Sequence, residues 1–109
     1  MAKLEITLSG DFDRILTKIE QGILNGSMSA TLEDRSDMLI GDTRCSVRVF
    51  ERYSYAGGNR VSLNVTLLKS GDTMCLSAIT AGGSEAMFFK MNTLGEKAFL
   101  DKLKEVLYN

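Results

Sequence analysis

Along the first eight residues, apolar Leu4, Ile6 and Leu8 alternate with Lys3, Glu5 and Thr7. A period of two belongs to a strand with one buried face, so the chain opens with a strand. Past Ser9-Gly10-Asp11 the spacing changes. Phe12, Ile15, Leu16, Ile19 and Ile23 recur at steps of three and four, which predicts a helix from about Asp11 to Leu24, closed by Asn25-Gly26. The period then returns to two. Met28, Ala30 and Leu32 mark a second strand, ended by the polar turn Asp34-Arg35-Ser36-Asp37, and Met38-Leu39-Ile40, whose facing the pattern leaves open, reads as a short strand or the start of the next one, broken by a bulge at Gly41-Asp42.

Cys45, Val47 and Val49 alternate up to Tyr53-Ser54-Tyr55, and Val61, Leu63, Val65 and Leu67 alternate beyond Ala56-Gly57-Gly58-Asn59. These are the strands of a hairpin. Facing the valines of the first toward the apolar set of the second requires an odd loop or a bulge, because a two-residue turn at Gly57-Gly58 mixes the faces. A two-residue turn at Ser70-Gly71 pairs Leu67 with Met74, Val65 with Leu76 and Leu63 with Ala78. A second at Gly82-Gly83 pairs Ala78 with Met87, Leu76 with Phe89 and Met74 with Met91, so both turns agree on one apolar face. Cys75 then faces away from Cys45, and the two thiols are expected to stay free.

Thr93-Leu94-Gly95-Glu96 has the form of a capping box, and Phe99, Leu103, Val106 and Leu107 make the stripe of a helix running to about Leu107. The expected fold is α+β, a single domain over residues 1–109. Its order is β-α-β-β-β-β(β)-α, an antiparallel meander sheet with both helices on one face. That order resembles the helix-grip and TATA-binding-protein-like architectures.

Composition narrows function mainly by exclusion. The 109 residues are 44% apolar and 25% charged, ordinary values for a domain that folds without a covalent or metal staple. A net charge of −1 provides no field to attract nucleic acid or anionic lipid, so nucleic acid is disfavoured as a partner. No apolar run reaches the length of a membrane span and the N-terminus lacks the pattern of a signal peptide, which points to the cytoplasm and no membrane partner. With no histidine there is no Ser-His-Asp or Cys-His nucleophile and no histidine metal site. No metal or other cofactor is expected, and the balance falls against an enzyme.

The segment from Arg44 to Leu63, RCSVRVFERYSYAGGNRVSL, together with Ile79 to Phe89, ITAGGSEAMFF, resembles a small bacterial single-domain family of unknown function. The resemblance implies a bacterial protein and transfers no site residue.

Three candidate sites follow from the pattern. Met28, Ala30, Met74, Ala78, Met87 and Met91 could line an adaptable apolar pocket between the sheet and the C-terminal helix, although methionine equally fills irregular cores. Arg48, Phe50, Arg52, Leu68, Ile79 and Phe88, assigned to the outer face of the sheet, have the mixed aromatic, aliphatic and arginine character of an interface. At the hairpin end, Tyr53, Tyr55, Asn59, Arg60 and Ser84 gather beside glycine amides that could hold an anion. The leading expectation is a non-enzymatic binding domain that self-associates through the outer sheet face as a homo-oligomer, a homodimer in its simplest form. The alternative is a carrier of a small apolar ligand.

Overall fold

In the computed structural model, which describes residues 1–54, 58–82 and 89–108 with the side chains of 89–93 left aside, the initial alternation forms strand β1 (Ala2–Leu8). Helix α1 (Phe12–Asn25) follows. Asp11 caps it by accepting from the Arg14 amide at 2.9 Å, and the Gly26 amide closes it on the carbonyl of Ile23. Its stripe of Phe12, Leu16, Ile19 and Ile23 is buried, as the helical spacing requires.

Four strands run consecutively: β2 (Thr31–Ile40), β3 (Thr43–Ser54), β4 (Asn59–Ser70) and β5 (Thr73–Gly82). Helix α2 (Phe89–Tyr108) ends the chain. The sheet is antiparallel with order β1-β5-β4-β3-β2, and both helices pack on one face. Their buried Phe12, Leu16, Ile19, Ile23, Phe99 and Leu103 meet Phe50, Leu63, Val65, Leu67 and Leu76 from the strands. The helices come close where α1 has no side chain: a Cβ on Gly22 would lie 2.5 Å from Val106.

Several details depart from the pattern reading, each for a physical reason. β2 is one strand through residues 34–37; its irregularity is a bulge between Leu32 and Asp34, and Gly41-Asp42 is a tight turn instead. Gly41 and Gly71 both have positive φ, at 59° and 58°, with no positive φ at the following aspartate. A glycine in the first central position is the requirement of a II′ hairpin. That requirement moves the second turn to Gly71-Asp72, so the register slips by two residues from the expected one. Leu67 pairs with Leu76 and Val65 with Ala78, and the apolar faces still coincide.

β3 faces opposite to expectation. Its loop to β4 has four residues, pairing Ser54 with Asn59 and Phe50 with Leu63, so Ser46, Arg48, Phe50 and Arg52 point to the helices. Cys45, Val47 and Val49 point outward. Cys45 and Cys75 therefore share the outer face, each a cross-strand neighbour of Leu68, and both remain free.

Among the described residues no strand follows β5 into the sheet: β1 occupies its second edge, pairing Leu4 with Ala78 and Ile6 with Leu76, and the expected partner Met87 lies outside the described residues. Residues 89–91 are the first turn of α2, which places Thr93-Glu96 inside the helix rather than at its cap. Buried Glu96 instead lies 3.0 Å from the Met1 amino group.

The facing of β3 can be tested directly. Phe50→Ala should cost about 3–5 kcal/mol in urea unfolding, the range for emptying a buried aromatic site. Val49→Ala should cost about 1 kcal/mol, the share of a half-exposed valine. Equal losses would put both residues in the core and overturn the assignment.

Candidate functional site

The inner face of β3 carries three arginines at four-residue steps, Arg44, Arg48 and Arg52, all brought under the helices by the period of two. Arg48 is buried, Arg52 is partly buried and Arg44 stays largely in water, so each meets a different environment. Arg44 donates to both carboxylate oxygens of Asp13 in α1, at 2.8 and 3.1 Å, with its guanidinium 4.2 Å above the ring of Phe12. Hydrogen bonding from Arg44 holds Asp13 below the ordinary aspartate value.

Arg48 is 4% exposed. Its Nε donates to Glu20 of α1 at 2.5 Å, its Nη2 to Asp37 of β2 at 3.0 Å, and its Nη1 to the carbonyls of Val47 and Ser36. Burial alone would lower its pKa, but the bonds to Glu20 and Asp37 outweigh it and hold it above its ordinary value. The Ser46 hydroxyl also donates to Asp37, at 2.6 Å, and that bond, followed by those from Arg48, keeps Asp37 acidic.

Arg52 differs from both. Its guanidinium lies 4.6 Å above the ring of Phe99 in α2, and among the described residues it has no carboxylate partner. Burial lowers its pKa with nothing opposing it. It borders a cleft of about 490 Å³ between the end of β3 and α2, lined also by Ser27, Tyr53, Ser54, Leu94, Gly95 and Ala98. Helix and strand touch at the edge of this cleft because residue 95 is glycine: a Cβ there would stand 2.4 Å from the Ser54 hydroxyl oxygen.

The residues singled out from the sequence are redistributed. Of the proposed apolar pocket, Met74 and Ala78 are solid core, Ala30 packs at its margin, and Met28 lies outside it at 107% exposure because β2 begins only at Thr31. Met87 and the side chain of Met91 lie outside the described residues. None of the three clefts characterised among the described residues is lined by Met28, Ala30, Met74 or Ala78.

Of the proposed interface, Arg48, Phe50 and Arg52 belong to the covered face, a correction that follows from the four-residue loop. Leu68 and Ile79 are on the outer face, 38% and 40% exposed, and Phe88 is outside the described residues. At the hairpin end, Arg60 is already paired with Glu51 at 2.9 Å, and it also donates to the Thr31 hydroxyl. Asn59 donates to the carbonyl of Arg60, while its buried Oδ1 has no partner among the described residues. Tyr53 neighbours Arg60 across the strands, and Tyr55 and Ser84 are outside the described residues.

The outer face instead gains Cys45, Val47 and Val49, which the pattern assigned to the core. Across the strands run the rows Met38, Cys45, Leu68, Cys75, Thr7; Ser36, Val47, Thr66, Ser77, Glu5; and Asp34, Val49, Asn64, Ile79, Lys3. The signal that could have found them was the parity of the 54–59 loop. Among the described residues no three carboxylates or thiols converge as metal ligands, and no helix is long and apolar enough to cross a membrane.

Residues 1–109 match DUF6054, described as a family of unknown function. No curated protein matches the sequence. Among solved structures, a crystallised protein of unknown function from Pseudomonas aeruginosa is similar over 91% of this chain and 79% of that chain, at 9% identity and a TM-score of 0.49.

The acidity of Asp37 gives a pH dependence of definite sign. A carboxyl held below its ordinary value of 3.8 by folding stabilises the fold above that value, and the contribution is lost as pH falls through the folded value. Urea midpoints of the wild type should therefore fall below about pH 4. Asp37→Asn should lower the midpoint at pH 7 and flatten the acid limb. An acid limb identical to that of the wild type would remove Asp37 from the account.

Proposed function

The chain belongs to the DUF6054 family of unknown function, and on that footing we propose that it is a non-enzymatic binding domain, a homodimer formed by two copies meeting through the outer faces of their sheets. The observation that carries this reading is the apolar content of the face without helices. Met38 at 54% and Leu68 and Ile79 near 40% exposure stand beside Val47, Val49, Cys45 and Cys75, separated by uncharged Ser36, Asn64, Thr66 and Ser77. Charges sit only at the ends of the three rows.

The symmetry of the sheet supports a second copy as the occupant. β4 is the central strand, so a twofold axis parallel to it exchanges β3 with β5 and β2 with β1. Leu68 then lies over its own counterpart, Val49 over Ile79, and Cys45 over Cys75. Asp34 at one end of its row lies over Lys3 at the other, so the terminal charges of both copies are complementary. Five strands about 4.8 Å apart and three rows about 6.6 Å apart give such a face roughly 480 Å² per copy, about 950 Å² per pair, the size of a small, reversible interface. The first strand beside the last, with the C-terminal helix across the sheet, supports a helix-grip-like reading. Free thiols on the surface fit the reducing cytoplasm of a bacterium.

Sedimentation at tens of micromolar should give a dimer, and Leu68→Arg a folded monomer by the same measurement and circular dichroism. A wild-type monomer at that concentration sinks the proposal. A short bis-maleimide should couple two wild-type copies. Cys45→Ser and Cys75→Ser should each abolish coupling, and a mixture of the two variants should restore it. Coupling retained by either variant alone would assign a different axis.

A further inference from the structure

We infer that the Arg52 cleft binds a small organic carboxylate with a compact apolar body. The argument starts from the arginine series on β3. Arg44 and Arg48 lie beneath α1 and are met by acids seven residues apart on that helix, Asp13 and Glu20. Seven residues are two turns, so both acids project from one side of α1 toward the strand, at about the spacing of the arginines below. The next seven-residue step reaches residue 27. The helix has already closed at Gly26, and residue 27 is a serine on the wall of the cleft. Where the series calls for a third carboxylate, the molecule has a hydroxyl and open space.

The surroundings of Arg52 specify the missing group further. The face of Phe99 covers one side of the guanidinium, which leaves its N–H edge for a planar, two-oxygen acceptor. Leu94 and Ala98 supply an apolar wall, and about 490 Å³ accommodates a molecule of modest size. No second cation lines the cleft among the described residues, so a single negative charge is matched and a phosphate dianion is not. The site lies on the helix-covered side of the sheet and is independent of the face proposed for dimerisation.

The probe is hexanoate, titrated into the full chain and followed by the amide resonances of Gly95 and Ala98, with hexanamide and inorganic phosphate as comparisons. Hexanoate should give a saturable shift, with hexanamide and phosphate each about tenfold weaker or more. Arg52→Met should weaken hexanoate by a similar factor while keeping the native spectrum. Ser27→Asp should supply the third acid in place, abolish hexanoate binding with Arg52 intact, and raise Tm. The monomeric Leu68→Arg variant should bind hexanoate as the wild type does, which separates this site from the dimer. The inference is overturned if no probe saturates, as when Arg52 is already paired in solution with an acid of the chain. It is equally overturned if hexanamide or phosphate matches hexanoate, or if Arg52→Met or Ser27→Asp binds undiminished.

Discussion

A guanidinium taken out of water has to be met in place, and the ring of partners around Arg48 is the constraint on which the other features depend. The effective cost of burying such an ion is several kcal/mol, recovered only when hydrogen-bond geometry is good on every side. Here Glu20, Asp37 and two carbonyls share the work, and they come from α1, β2 and β3. Turning Arg48 inward commits the rest of the strand. Phe50 enters the core, Val47 and Val49 go to the opposite surface, and Arg52 reaches the end of the helix layer. α1 is held above β3 by two ion pairs along its length, and its termination at Gly26 decides that the third arginine goes without one.

How much of this could be read from the sequence depended on how one-sided each element is. β1, β4 and β5 alternate apolar with polar, so their facing was plain, and the stripe of α1 gave both its limits and its buried residues. β3 has apolar side chains on both faces, and hydropathy sends arginine outward unless acids on a distant helix are known to meet it. The Leu67 pairing was out by two residues for a related reason: a shift of two preserves faces, and only the backbone demand on Gly71 separates the alternatives. The partner of β5 at its second edge was hidden because the pairing is non-local: β1 takes that edge from 78 residues away, as the Ala2-Thr80 contact shows. For the Arg52 cleft, the four-residue arginine spacing and the seven-residue acid spacing were both visible. What could not be seen was that they belong to one interface.

The bulge in β2 bears on how large an assembly could grow. β2 is an outer strand of the sheet, with an unpaired row of backbone donors and acceptors, the type of margin on which filaments are templated. The extra residue at Glu33 breaks the even spacing of that row, and Asp34, Arg35 and Asp37 place charge along it. Both features make that margin a poor template for a further strand.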